Sequence, residues 1–189
     1  ILRDGFLPPL HLAEICDQFS AALRDFGYPA CPGNIMISNP VWRQTAIDFG
    51  KMTRQWWLMP TPDNLISLAI FLDAHAVGGD PKLLEEVRLG VYSVATDNDA
   101  MLARFASAIN SFSETGGWWN RLLSLGEANE ATLDLKKMGI FPLVHGIRSL
   151  ALQQRLNDTG TVARIDALVA AGLLTAAFGA DLTESLHFF

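Results

Sequence analysis

Residues 65–72 constrain the fold more than any other part of the chain, because this segment is apolar nearly all round a helix. Thr61 and Pro62 stand shortly before it. This pair is a strong helix start, since threonine caps a helix and proline fits the first turn. A helix without a polar face must be covered by other elements. The sequence therefore predicts a central, buried helix.

Stripes of apolar residues spaced by roughly three or four positions predict most of the other helices. Gly27 and Gly172 mark two helix ends, and Asp80-Pro81 repeats the start signal of Thr61-Pro62. Further helices are predicted over residues 133–139, 142–156 and 161–171, for a total of about eight. The stripes are Leu12, Ile15, Phe19, Leu23 and Phe26; Trp42, Phe49, Met52 and Trp56; Leu84, Val87, Val91 and Val94; Met101, Phe105, Ile109 and Phe112, opened by Asp97; and Leu174, Phe178, Leu182, Leu186 and Phe189.

Two short segments near the start of the chain favour β-structure. Residues 35–37 are a β-prone run inside a proline-containing loop. Residues 1–6 fit the tail of a strand that closes with the turn-prone pair Asp4-Gly5. The composition changes near residue 60. We therefore predict a mainly α fold, with a helical bundle over residues 59–189 preceded by a truncated α/β segment over residues 1–58.

Charge and cysteine content argue against several functions. The net charge is −6 and the 14 Lys and Arg residues are scattered, whereas nucleic-acid binding needs a clustered basic surface. An acidic surface disfavours anionic membranes, and no apolar run reaches the roughly 18 residues that span a bilayer. Cys16 and Cys31 make neither a disulfide framework nor a zinc-ligand pattern. We expect a cytoplasmic protein that binds neither nucleic acid nor membranes.

Motifs of a self-contained enzyme are missing from the sequence. It has no glycine-rich phosphate loop, no Gly-x-Ser-x-Gly motif and no metal-ligand spacing among its histidines. Asp97-Asn98-Asp99 pairs two carboxylates, but capping of a helix explains them better than metal binding does. The chain also begins at Ile1 and ends at Phe189 within apolar patterns. We expect a segment of a larger protein that catalyses nothing alone.

Polar residues interrupt the apolar pattern in two places before residue 80. Ser38, Asn39 and Arg43 follow the β-prone run, where turn chemistry explains them and the wall of a ligand cleft is the alternative. Asp73 ends the buried helix, which is a costly place for a carboxylate unless it is paired. Both places are candidates for a binding site.

A third candidate lies near residue 140. Asp134 and Lys137 are spaced so that a helix would put them on one face, and Arg148 lies in the following helix. A solvated ion pair is the simple interpretation. The alternatives are a buried Asp–Lys–Arg network that fixes helix geometry, or contact with a phosphate, which suits the planar fork of arginine.

These stretches, taken in order, resemble one bacterial family. Over nearly all its length the chain is similar to a DUF294-type nucleotidyltransferase domain followed by its substrate-binding domain. That family is similar to the uridylyltransferase that modifies the PII nitrogen regulator, and its members usually follow CBS and cyclic-nucleotide-binding modules. The matching patterns are Cys31-Pro32-Gly33; Ser38-Asn39-Pro40-x-Trp42-Arg43; Ile70-Phe71-x-Asp73 with Gly79-Asp80; and Asp134-Leu135-Lys136 with Gly139-Ile140-x-Pro142-Leu143-Val144.

The resemblance implies that this chain is only part of the machinery. The family's catalytic signature, a Gly-Ser loop followed by Asp-x-Asp, is not in it, and residues 1–5 resemble the end of the strand that would carry those carboxylates. The complete protein would transfer a nucleoside monophosphate from an NTP to an acceptor such as a PII-like regulator, using Mg²⁺, while this segment holds no cofactor. From motif position and polarity we expect two sets of substrate-binding residues: Ser38, Asn39 and Arg43, lining the cleft, and Asp73, Asp134, Lys137 and Arg148, supporting or contacting nucleotide or acceptor.

A second interpretation belongs to another class of protein. The chain would be a non-catalytic helical module that relays a signal from CBS or cyclic-nucleotide sensor domains, or that forms a homodimer. Trp118-Trp119 and Phe188-Phe189 would then supply apolar contact surface. Intact Gly-Ser and Asp-x-Asp motifs upstream of Ile1 would favour the enzyme, and degraded ones would favour the module.

Overall fold

The computed structural model describes residues 1–5, 10–95, 98–112 and 135–188, without the side chains of 109–112, 136 and 137. The described part is mainly helical, as predicted. A 3₁₀ turn precedes α2, and a single π-helical turn, Lys136–Ile140, runs directly into α6. The helices are α1 (Leu12–Asp25), α2 (Ala46–Leu58), α3 (Pro62–Leu72), α4 (Lys82–Ala95), α5 (Asp99–Phe112), α6 (Phe141–Gln153), α7 (Thr161–Ala170) and α8 (Ala176–Phe188).

The strand predicted at residues 35–37 is wrong. These residues lie in an irregular loop, in which backbone groups find partners nearby in the chain. The amide of Asn39 donates to the Met36 carbonyl at 3.0 Å, and that of Asn34, at φ 55°, donates to the Cys31 carbonyl at 2.9 Å. Of the strand expected over residues 1–6, the described residues form one isolated parallel bridge, between Leu2 and Thr45.

Helix starts follow the predicted capping chemistry. The Thr61 hydroxyl accepts from the Asn64 amide at 3.3 Å at the start of α3, and the Asp80 carboxylate accepts from the Lys82 amide at 3.1 Å at the start of α4. At α5 the capping side chain is Asn98, whose Oδ1 accepts from the Met101 amide at 3.1 Å. The helix start predicted at Asp97 is therefore displaced, and Asp97 itself lies outside the described residues.

The larger apolar core surrounds α3 and confirms that this helix is central. Ile66 and Leu68 are fully buried, and aromatic rings of α2 pack around the same cluster. Trp57 of α2 and Phe105 of α5 have ring centroids 5.6 Å apart. The buried members are Ala46, Phe49, Trp56, Trp57, Leu65, Leu68, Ala69, Phe71, Leu72, Val87, Val91, Tyr92, Ala95, Phe105, Ala108 and Leu152.

A second, smaller core joins α6, α7 and α8. Ile147, Ile165 and Leu168 are buried at its centre, with partly buried aliphatic side chains around them. Gly179 lets α8 approach α7 closely: a Cβ at this position would meet the Val169 Cγ2 at 2.6 Å. The two helices therefore pack as an αα-hairpin, which begins after the connection that follows α6.

Helix α1 is present and ends before Gly27, whose φ of 93° fits the predicted glycine stop. Its apolar stripe, however, lies on the surface. Phe19 is 53% exposed and Phe26 is 77% exposed, while Cys16 and Ser20 are buried. The apolar side of α1 is thus only partly covered: Phe19 and Leu23 share a cavity with Trp42, which packs against the larger core. None of the helices in the described ranges is long and apolar enough to cross a membrane.

Candidate functional site

Asp73 forms the centre of a buried ionic cluster at the end of α3. Its Oδ1 accepts from Nε of Arg148 at 3.0 Å and from Nη1 of Arg164 at 2.6 Å, and its Oδ2 accepts from Nη2 of Arg148. The two arginine side chains are 12% and 4% exposed, whereas that of Asp73 is 35% exposed. We call Asp73, Arg148 and Arg164 the Asp73 cluster. It joins α3, α6 and α7 at one point.

The arginines explain how a carboxylate can end a buried helix. Burial alone would raise the pKa of Asp73, but the hydrogen bonds and charges of Arg148 and Arg164 outweigh it and hold that pKa below its usual value. The carboxylate therefore stays ionised. Removal of either partner would leave a buried charge poorly compensated, which is far more costly than losing an exposed pair.

Arginine and tyrosine side chains also bind backbone carbonyls around this cluster. Arg164 donates from Nη2 to the Leu72 carbonyl at 2.9 Å and from Nε to the Asp158 carbonyl at 2.7 Å. The last carbonyls of a helix lack partners within it, so Arg164 satisfies one of them at the end of α3.

Two side chains of α4 bind backbone carbonyls of neighbouring connections. Arg88 donates to the carbonyls of Ala74 and Asn157, and the Tyr92 hydroxyl donates to the Leu156 carbonyl at 2.7 Å. The connection between α6 and α7 is thereby fixed to α3 and α4.

His145 orients Arg148 from within the same helix. Its Nε2 lies 2.7 Å from the Phe105 carbonyl, and its Nδ1 lies 3.4 Å from Nη1 of Arg148. A carbonyl needs a donor and a guanidinium is a donor, so Nε2 carries the proton and Nδ1 accepts. Burial is the largest influence and lowers the pKa of His145 to about 4. The ring is therefore neutral near neutral pH.

The structure brings two of the sequence-predicted site residues together, Asp73 and Arg148. Asp134 and the side chain of Lys137 lie outside the described residues. Sequence reasoning missed Arg164 and His145, although each is a polar residue within a stretch rich in apolar residues. That pattern signals a buried polar group, but it does not identify the partner.

Asn39 and Arg43 hold their own loop. Asn39 caps the 3₁₀ turn, accepting from the Val41 amide at 3.0 Å, and donates to the Asn34 carbonyl at 2.9 Å. Arg43 donates to the Ile37 carbonyl at 3.0 Å. Ser38, which follows Ile37, is half-buried in the same loop. The loop and α1 enclose a cavity of about 410 Å³. The apolar residues that line it include Phe19, Leu23, Tyr28, Cys31, Met36 and Trp42.

A larger groove of about 620 Å³ lies between α5, α6 and α8. We call it the α5–α6–α8 groove. One side is formed by α5 and the other by α8, with α6 between them. Most of its lining is apolar, with Asp99, Ser149 and Gln153 as polar exceptions. The apolar and small lining residues are Leu102, Ala103, Ala106, Pro142, Leu143, Gly146, Ile147, Leu150, Leu174, Phe178 and Leu182.

Carboxylates, histidines and cysteines of the described residues form no group of three or more that could hold a metal ion. Mg²⁺ is usually bound by only one or two carboxylates together with substrate phosphates and waters. A magnesium ion brought in by a substrate would therefore take part of its ligands from the substrate's own phosphates.

The described residues define a mainly helical fold with an apolar groove between three of its helices. Family models identify it more closely: residues 99–189 match the family described as "Putative nucleotidyltransferase substrate binding domain", and residues 7–63 match "Putative nucleotidyltransferase DUF294". The chain therefore belongs to the DUF294 type, as the sequence motifs indicated. No curated protein and no solved structure matches it significantly.

Proposed function

We propose that residues 99–189 bind the acceptor substrate of a nucleotidyltransferase, and that the α5–α6–α8 groove is the place where they do so. The position of the groove carries this proposal, because every residue that lines it falls within the part matched by the substrate-binding family. Its apolar lining suits the side chains of a protein acceptor better than the phosphates of a nucleotide.

The proposed reaction is uridylyltransferase-like. An oxygen of the acceptor attacks the α-phosphorus of an NTP, a new P–O bond forms, and pyrophosphate leaves. Mg²⁺ would neutralise the phosphate charge. The carboxylates of the family's catalytic signature, a Gly-Ser loop followed by Asp-x-Asp that residues 1–189 do not contain, would hold that ion. The role of this chain is to bind and orient the acceptor, for which we propose a PII-like regulatory protein.

Labelling by the full-length protein tests the proposal. The protein is incubated with Mg²⁺, an NTP labelled at the α-phosphate and a purified PII-like regulator, and transfer of label is followed. Phe178→Glu places a charge on a groove residue that is 51% exposed and should raise the KM for the acceptor about tenfold or more. Leu173→Glu is the matched control, because Leu173 is 50% exposed and is not among the groove-lining residues. Equal KM values for both variants and the wild type would contradict a role for the groove.

A second candidate function is supported by the surface of α1. Ile15, Phe19, Leu23 and Phe26 expose a continuous apolar stripe, which is unusual on a protein that acts alone. In this alternative the chain is a non-catalytic module that contacts a CBS or cyclic-nucleotide sensor domain, or another copy of itself. Sedimentation of the purified chain distinguishes the self-association form: a monomer at all concentrations would argue against a homodimer.

A further inference from the structure

The α7–α8 hairpin is attached to the rest of the protein in two chemically different ways. Towards α6 the contacts are apolar: Ile165 and Leu168 of α7 pack with Ile147 in the second core. At the end of α3 the hairpin is held instead by hydrogen bonds and an ion pair, which Arg164 makes to Asp73 and to the Leu72 carbonyl. Apolar packing is non-directional and tolerates sliding, whereas charge-assisted hydrogen bonds fix one geometry.

The hairpin itself is built to move as one body. Gly179 of α8 lies so close to Val169 and Ile165 of α7 that even a methyl group would not fit without a shift. Closely packed helices resist deformation relative to one another. A displacement of α7 is therefore carried over to α8.

The connection from α6 to α7 is anchored to α4 at residues 156 and 157, so a displacement of the hairpin would turn about this anchored point. α6 ends at Gln153, and α7 begins at Thr161 after the N-cap residue Gly160. Arg155 within this connection has a φ of 55°, a left-handed conformation that non-glycine residues rarely adopt. Arg88 and Tyr92 hold the following carbonyls of residues 156 and 157. Hinges in proteins are commonly a few such residues between packed elements.

One side of the α5–α6–α8 groove belongs to this hairpin. Leu174, Phe178 and Leu182 of the hairpin line the groove, opposite Leu102 and Ala106 of α5. The width of the groove therefore depends on where the hairpin lies. Arg164 holds the hairpin to the end of α3 through Asp73 and the Leu72 carbonyl, while Arg148 ties the same carboxylate to α6.

We propose that the α7–α8 hairpin is a movable side of the groove and that the Asp73 cluster holds it in the position seen here. Asp73 is the exposed member of the cluster, so it is the point at which a binding partner or a change in charge can reach it. When its bonds to Arg164 are lost, the hairpin slides on the apolar surface of α6 and the groove changes width. The cluster thus couples a surface carboxylate to a binding groove formed mainly by other residues.

Distances between spin labels across the groove test this inference. Labels are attached at Arg104→Cys on α5 and Glu184→Cys on α8, which are both exposed and neighbour groove-lining residues, after Cys16→Ala and Cys31→Ser remove the native thiols. The parent protein should give one narrow distance distribution. Asp73→Asn should shift or broaden it by roughly 2–5 Å, the scale of sliding between packed helices. Lys51→Ala, which breaks an exposed ion pair elsewhere, should leave it unchanged.

A second variant separates movement from unfolding. Arg164→Lys keeps the positive charge but loses the planar fork that binds Asp73 and the Leu72 carbonyl together. It should produce the same change in distance as Asp73→Asn, and its circular dichroism should remain helical. An unchanged distribution in a folded Asp73→Asn or Arg164→Lys protein with a lowered melting temperature would overturn the proposal. The cluster would then stabilise the fold without setting the groove.

Discussion

Asp73 and Arg148 lie 75 residues apart in the sequence and are joined by two hydrogen bonds between one carboxylate and one guanidinium. Such a bidentate pair has a defined geometry, unlike an apolar contact. It fixes the end of α3, in the larger core, to the middle of α6. The stability of the fold and its pH dependence therefore depend on this pair and on the residues that support it.

Asp73→Asn should destabilise the protein strongly. The amide is almost the same size, but it leaves Arg148 and Arg164 without their carboxylate. Breaking a buried pair costs about 3–5 kcal/mol, and the partial exposure of Asp73 reduces this to about 2–3 kcal/mol in the free energy of unfolding. Urea denaturation followed by circular dichroism measures it. Lys51→Ala disrupts the exposed Asp48–Lys51 pair, at 2.9 Å, and should change the midpoint little. Equal effects of the two substitutions would contradict the importance of the cluster.

His145 should make the fold sensitive to mild acid. Its pKa falls to about 4 in the folded state, from an ordinary value of 6.5. Between these values the unfolded chain binds a proton that the folded chain does not, so stability is lost as the pH falls from about 6.5 to about 4. Asp73, whose pKa is also lowered, contributes stability above its unfolded value of 3.8 and loses it only at still lower pH.

The pH dependence of unfolding distinguishes His145 from other groups. Acidification from about pH 7.5 to about pH 4.5 should cost roughly 2–3 kcal/mol in the wild-type protein. His145→Gln retains a donor for the Phe105 carbonyl but does not titrate, so its stability should vary much less over this range. His187 has an exposed side chain near the end of α8, and His187→Gln is the control that should keep the full pH dependence of stability. The assignment fails if His145→Gln is as acid-sensitive as the wild type.

Gly179→Ala should weaken the α7–α8 hairpin. The added methyl would meet Val169 Cγ2 at 2.6 Å and Ile165 Cγ2 at 3.3 Å, so the two helices must separate. Overpacking of this kind costs about 1–3 kcal/mol. Gly90 in α4 provides the control, because a Cβ there has no heavy atom within 4 Å. Gly90→Ala should stabilise α4 by about 0.5–1 kcal/mol through helix propensity. Thermal unfolding should therefore show a lower melting temperature for Gly179→Ala and a higher one for Gly90→Ala.

Phenylalanines in α1 and α2 should respond differently to truncation. Phe49 is 3% exposed within the larger core, and Phe49→Ala should cost about 3–5 kcal/mol. Phe26 is 77% exposed, so Phe26→Ser should lower the free energy of unfolding by less than about 0.5 kcal/mol, as other surface substitutions do. A large loss of stability for Phe26→Ser in the isolated chain would show that the α1 stripe is covered, and sedimentation would then show whether another copy covers it.

Local patterns in the sequence predicted the helices well because caps and apolar spacing act over a few residues. Thr61, Asp80 and Gly172 do what their residue types suggest, and α3 is buried as its composition requires. The β-prone run at residues 35–37 failed for the opposite reason. A strand needs a neighbouring strand, and the loop instead satisfies its backbone through Asn39 and Arg43.

Partners distant in sequence could not be predicted. Asp73 was recognised as needing a partner, since a carboxylate at the end of a buried helix is otherwise too costly. Nothing local shows that Arg164, 91 residues later, provides one. The spacing of the α1 stripe likewise predicted a helix with an apolar side and nothing more. It does not say whether that side faces this chain's own core.

Helix α6 contributes to both apolar cores, with Leu152 in the larger one and Ile147 in the smaller one. A shortened polypeptide that stopped before α6 would therefore leave the larger core without Leu152 and would deprive the Phe105 carbonyl of its hydrogen bond from His145. One that began at α6 would present Leu152 and Arg148 to water. Dividing the chain at the point where the two family matches separate, between residues 63 and 99, would therefore cut through the larger core and expose residues on both sides of it.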